Sequence, residues 1–249
     1  MTKNSPDVQH PILISCCVHG NERVGEYVYQ NYSFGESSWA LYEAFIANEL
    51  ALKKNVRFID CDLNRAFPGN NQTSQSEPNL AYNILQVYGS QYDTLIDIHQ
   101  TFAIQEPIAI IRAQTPMTAR ILSYTNIQFV IDESYGTKTP TGNQITHLFR
   151  DGICLEFPQM TGPQEAWKIV RPIMENILNA VTQSNEQRYY HVSEAINAMD
   201  GIPGLINLVK LTKVQKAKIG LNLVQEYRPV FLGETSYQDL HCLLISPNL

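Results

Sequence analysis

From Ile12 to about Thr182 the chain alternates short apolar runs, rich in strand-forming residues, with stretches of helical spacing. No other feature restricts the fold as much, because strands that alternate with helices at such intervals favour a largely parallel sheet covered on both faces. Ile12–Val18, preceded by Pro11, reads as a buried strand. Val56–Asp60, Thr94–Ile98, Pro107–Arg112, Gln128–Ile131 and Gly152–Phe157 read as further strands. Helical patterns cover Glu22–Tyr32, Leu80–Tyr88, Met117–Tyr124 and Pro163–Thr182. A clearer one is predicted over Ser37–Lys53, with Ser37 or Ser38 as its cap and Leu41, Phe45 and Leu52, together with Ala44 and Ala51, at helical spacing. The expected fold class is α/β: a mixed, largely parallel sheet with helices on both faces.

The texture changes near Ser184. From Gly201 onward helical periodicity fades, and apolar runs around Leu205–Leu211, Leu221–Val224, Pro229–Leu232 and His241–Ile245 are separated by turn-like residues. The expected division is a main α/β domain over residues 1–184 and a small, mostly-β C-terminal domain over 185–249. Two polar segments, Asp62–Asn79 and Glu133–Gln144, are long for loops inside a compact domain, which points to function.

Composition narrows the partners. Of 249 residues 44% are hydrophobic and 17% charged, enough apolar material for a sizeable core. The balance of 18 Lys and Arg against 24 Asp and Glu leaves a net charge of −6 with no cationic run, which argues against nucleic acid and anionic membrane as partners. No stretch approaches the roughly 20 apolar residues of a spanning helix, and Met1–His10 is polar rather than signal-like. A soluble, cytoplasmic protein is expected. Its five cysteines lack C-x-x-C spacing, and four of them sit in apolar runs, as buried reduced thiols would.

In open α/β sheets ligands gather just past strand ends, and four such places carry chemistry. His19-Gly20-Asn21-Glu22 follows the first strand; its His and Glu, three apart, can aim an imidazole and a carboxylate at one point, as in a zinc chelate. Alternatively, Glu22 merely favours the N-terminus of the next helix. In Asp97-Ile98-His99 the outer residues share one strand face, so His99 could be a third ligand with Asp97 orienting an imidazole behind it. Arg57 through Arg65 places two arginines around two carboxylates and ends in Asn64-Arg65. These arginines suit carboxylate recognition and the holding of a polarised carbonyl, or simply pair with Asp60 and Asp62. Glu156, between Leu155 and Phe157, is in apolar company that would raise its pKa toward a general base's range, or is a surface carboxylate at a strand edge.

The segments H-G-N-E, R-F-I-D-C-D-L-N-R-A-F, D-I-H-Q-T and L-E-F-P-Q, in this order and spacing, resemble the aspartoacylase and succinylglutamate desuccinylase family. The resemblance runs from about Ile12 to Thr161 and is faint in the last sixty residues. It implies a zinc-carboxypeptidase-like fold and a zinc-dependent amidohydrolase, with one Zn2+ per chain held by His19, Glu22 and His99. It implies that Glu156 is the general base that activates water and protonates the leaving amine, that Arg57 polarises the scissile carbonyl, and that Asn64 and Arg65 bind a substrate carboxylate. The Arg57–Arg65 nonapeptide is closer to the aspartoacylase branch, which favours short acyl groups on an acidic amino acid. Two departures stand out. An Arg that aspartoacylases carry about ten residues before the catalytic Glu has Ile145 in its place here, with Asn143, Gln144, His147 and Arg150 as nearby substitutes. The chain also ends before the position of a C-terminal substrate-binding Tyr.

The leading expectation is therefore deacylation of a small anionic N-acyl amino acid by attack of a metal-bound water on the amide carbonyl. A zinc carboxypeptidase or cell-wall peptide amidase is the enzymatic alternative. A non-catalytic zinc or carboxylate binder is the alternative from another class. A homo-oligomer is compatible with the sequence.

Overall fold

In the computed structural model, which describes residues 11–37, 39–135, 143–160, 162–197, 208–218, 221–231 and 240–247, the first apolar run forms strand β1 (Ile12–Cys16). Every residue of β1 is buried, as in a sheet covered on both faces. β1 lies parallel between β3 (Leu41–Ile46) and β4 (Thr94–Thr101), and β4 pairs parallel with β7 (Asp151–Pro158). With β2 (Phe34–Glu36), β5 (Ile108–Ile111), β6 (Phe129–Asp132), β8 (Arg188–Asn197), β9 (Arg228–Val230) and β10 (Leu240–Pro247), these make one ten-stranded sheet. Its order is β2-β3-β1-β4-β7-β5-β6-β8-β10-β9. β5 runs antiparallel to β7 but parallel to β6, and β6 parallel to β8, so the sheet is mixed and largely parallel. The strands after residue 184 extend this sheet through β8.

Strand alternation sorts the core. Ile96 and Ile98 of β4, with Ile153, Leu155 and Phe157 of β7, pack under α1 (Val24–Tyr32), α4 (Pro116–Ser123) and α5 (Pro163–Leu178). Leu95, of opposite parity, joins Leu13, Leu63, Phe67 and Ile145 beneath α3 (Ser76–Tyr88). A third cluster joins Ile108, Ile110 and Cys154 to Val192, Val230, Phe231 and Leu243 of the C-terminal part. Among the described residues no helix is long and apolar enough to cross a membrane.

Three expectations need correction. The helix expected over Ser37–Lys53 is instead strand β3 followed by α2 (Glu49–Lys54). Leu41, Ala44 and Phe45 have helical spacing, but pairing with β1 on one side and β2 on the other overrides that preference. Asn48 then starts α2 by accepting the Ala51 N–H (3.1 Å). Val56–Asp60 is not a strand: the Glu77 carboxylate, from α3, accepts the backbone N–H groups of Ile59, Asp60 and Cys61 (2.6, 2.9 and 3.2 Å) in place of a neighbouring strand. β8 and the short helix α6 (Lys213–Lys218) lie where no element was expected, and Leu221–Val224 forms no strand. Gly136, Pro140, Gly142 and the start of the run at Leu205 lie outside the described residues.

All five cysteines are free thiols. Cys16, Cys17, Cys154 and Cys242 are buried, which raises their pKa values, Cys17 and Cys242 to about 12.

Candidate functional site

β1, β4 and β7 are adjacent and parallel, so their C-terminal ends open on one side of the sheet. His19 follows β1, His99 lies near the end of β4, and Glu156 is its registered partner on β7. One pocket is lined by His19, Glu22, Arg57, Asn64, Arg65, His99 and Glu156. The structure thus gathers every candidate residue from segments up to 137 positions apart in the sequence.

Glu22 is the centre of the cluster. Its Oε1 lies 2.6 Å from His19 Nδ1 and its Oε2 lies 2.9 Å from His99 Nδ1, with all three residues buried. The far nitrogen of each ring faces a carboxylate: His19 Nε2 is 3.0 Å from Asp62 Oδ1, and His99 Nε2 is 2.7 Å from Asp97 Oδ2. Asp97 also accepts a 2.5 Å hydrogen bond from Ser15, its registered partner on β1. This fixes the orientation of both rings with Nδ1 toward Glu22.

Burial alone favours neutral imidazoles, yet the Glu22 charge and the hydrogen bond to Asp62 raise the pKa of His19. For His99 burial is likewise outweighed, by Asp97 and Glu22, and its pKa lies well above the usual value. Burial would raise the Glu22 and Asp62 pKa values. The two imidazoles overcome this at Glu22, while His19 and Arg57 do so at Asp62, holding both carboxyls well below their ordinary range.

The cluster fits a zinc ion. One donor atom each from His19, Glu22 and His99 lies within 4.8 Å of the others, and two imidazoles with one carboxylate are a donor set that leaves a coordination position open.

Gly20 is required here by close approach rather than by a bend. A Cβ on it would stand 2.1 Å from the Ala51 carbonyl carbon in α2. Its N–H donates to the Arg57 carbonyl (3.1 Å), which brings the Arg57 segment alongside. Arg57 then donates to Glu22 (3.4 Å) and to Asp62 (3.2 Å), while its buried Nε has no hydrogen-bond partner. Asp62 accepts from the Asn64 N–H (2.8 Å) and starts the single turn Leu63–Arg65. Asp60 serves elsewhere, accepting from the Ser76 N–H at the start of α3 (2.6 Å).

The apolar neighbours of Glu156 do not surround it. Leu155 and Phe157 point into the cluster under α5, whereas the half-buried Glu156 shares its face with Cys154, whose Sγ lies 3.8 Å from Oε1. Of the residues around Ile145, Asn143 donates to the Arg65 carbonyl (3.4 Å), His147 pairs with Glu133 (2.6 Å), and Arg150 pairs with Asp93 and Asp151. Ile145 itself is fully buried among Leu13, Leu63 and Phe67. Gln144 is the one of this group that lines the pocket.

Sequence reasoning did not single out Ser15, Ile110 or Phe231, and took Asp62 only as an ion-pair partner. A hydroxyl inside the apolar β1 run was a signal for Ser15. Ile110 and Phe231 line the pocket but look in sequence like any core residue.

Comparisons with known proteins bear on the fold and the family. The aspartoacylase of Xenopus tropicalis is 31% identical over 98 residues, which cover 33% of this chain and 31% of that protein. That of Danio rerio is 30% identical over 114 residues, 40% of this chain and 36% of that protein. The chain thus aligns with about a third of the length of these relatives. Among solved structures, murine aminoacylase 3 superposes with a TM-score of 0.73 at 17% identity, covering 99% of this chain and 97% of that one. Succinylglutamate desuccinylase from Chromobacterium violaceum gives 0.72 at 16%, covering 98% and 86%. The fold is accordingly the zinc-carboxypeptidase-like one implied by the motifs. The model of the succinylglutamate desuccinylase/aspartoacylase catalytic domain matches residues 9–181, well over half of the sequence, and the chain belongs to that family.

Proposed function

We propose that the protein is a zinc-dependent amidohydrolase that removes the acyl group from a small N-acyl amino acid. The observation that carries this reading is the convergence of a metal-type donor set, His19, Glu22 and His99, with Arg57, Asn64, Arg65 and Glu156 in one pocket. His19, Glu22 and His99 would hold the zinc ion, which would supply Lewis acidity toward the amide carbonyl and toward water.

Arg57 lines the pocket, and its guanidinium charge suits the negative charge that builds on the carbonyl oxygen. Glu156 takes a proton from the attacking water and delivers it to the departing amine. Arg65 and the Asn64 amide hold the substrate carboxylate, so that the scissile bond is presented to Glu156 in a fixed orientation. Asp62 ties these parts together by touching His19, Arg57 and the Asn64 backbone.

Glu156→Gln is expected to keep its zinc and lose activity on N-acyl amino acids by about 10²–10⁴-fold, read by metal analysis and amine release. Metal-stripped protein that hydrolysed these substrates as fast as the zinc form would end the proposal.

A further inference from the structure

We infer that the pocket selects an N-acyl amino acid with a single carboxylate and an otherwise uncharged, apolar side chain, and that Gln144 is a specificity-determining residue for this choice. The inference rests on the deacylase reading above and names its substrate class.

The Asn64-Arg65 turn is bound to the segment that carries Gln144. The Ile145 N–H donates to Asn64 Oδ1 (3.0 Å), and Asn143 Nδ2 donates to the Arg65 carbonyl (3.4 Å). Gln144 lies between these two anchors, 6% exposed, and lines the pocket beside Asn64 and Arg65. A group held by Arg65 therefore has the Gln144 amide as a neighbour. An amide donates a hydrogen bond to a carboxylate but cannot neutralise its charge.

The rest of the described lining does not favour a second anion. The two Nη groups of Arg57 already serve Glu22 and Asp62. Glu156 lines the same pocket and brings no counter-charge for a second carboxylate. Ile110, Cys154 and Phe231 add an apolar patch continuous with the cluster that links β5 and β7 to the C-terminal strands. An alkyl group gains by leaving water against such a surface, whereas a carboxylate would lose its hydration without a counter-charge.

The test uses the zinc-loaded full chain with N-acetyl-L-leucine and N-acetyl-L-aspartate. It compares kcat/KM for the two substrates and, without relying on turnover, their affinities for the Glu156→Gln protein by calorimetry. The expected result is a preference for the leucine compound of about ten-fold or more, shifted toward the aspartate compound by a similar factor in Gln144→Arg. Equal or better use of the aspartate compound by the wild type overturns the inference while the deacylase reading stands. So does an unmoved ratio in a Gln144→Arg protein that folds and binds zinc. If that variant does not fold, the wild-type ratio decides. Tighter binding of the leucine compound with no turnover of either supports the selectivity and removes the deacylase reading, whereas binding of neither overturns both.

Discussion

The two halves of the sheet contribute to the pocket in different ways. β1, β4 and β7 lie side by side and parallel, and His99 is in register with Glu156 just as Ser15 is with Asp97. Beyond β7 the direction reverses at β5, and this half adds Ile110 and, from the C-terminal part, Phe231. Ser15, Asp97, His99 and Glu156 sit on strands whose register allows no slip, because a shift of one residue would turn each side chain to the other face, and His19 and Glu22 follow directly from the end of β1. Groups that only shape the cavity come from strands and loops where a small displacement changes fit but leaves the reactive cluster intact. The comparison separates what the pocket does from what it admits.

The strongest way to break that separation is His19→Ala. Zinc should be lost on dialysis and hydrolysis should fall by roughly a thousand-fold or more, as measured by elemental analysis and amine release. A variant that kept full zinc and activity would remove the β1 end from the site.

Asp97→Asn should weaken zinc binding by about 10–100-fold, since the far nitrogen of His99 loses its carboxylate; competition with a chelator measures it. An unchanged affinity would mean that β4 positions His99 by backbone register alone.

Glu77→Gln addresses the scaffold beneath the first half. Burial would raise the Glu77 pKa, but the N–H groups of Ile59 and Asp60, the Asn48 amide and the Cys61 N–H outweigh it and lower the value. The charged form thus adds stability above the ordinary carboxylate pKa, and that contribution is lost as pH falls through the depressed folded value. The variant should be less stable near neutrality by about 1–3 kcal/mol, with a shallower acid limb in denaturant titrations at several pH values. Parallel acid limbs in both proteins would refute this.

The smallest effect belongs to the second half. Ile110→Val should cost about 0.5–1.5 kcal/mol in stability and change KM for N-acyl amino acids a few-fold, with zinc content unchanged. A loss of zinc in this variant would show that the halves are not separable.

Much of this site was legible in sequence, for a physical reason. His19, Glu22, His99 and Glu156 directly follow or end apolar runs, and in a parallel sheet such positions converge on one edge whatever the intervening loops do. β3 was not legible because Leu41–Phe45 has helical spacing locally and becomes a strand through its neighbours. Val56–Asp60 failed for the converse reason: the N–H groups of Ile59, Asp60 and the adjoining Cys61 are satisfied by the Glu77 side chain, 16 to 18 positions away. Phe231 could not be foreseen, since only the tertiary path of the C-terminal part brings it to the pocket.

Gly20 adds a consequence for mutational tolerance. It supplies no functional atom, yet a single methyl group there would run into the Ala51–Leu52 peptide of α2. The displacement would fall on the backbone between His19 and Glu22, and both would lose their aim together. A scan of substitutions should therefore find position 20 as intolerant as the two residues it separates, although the reason lies in a helix that touches no substrate.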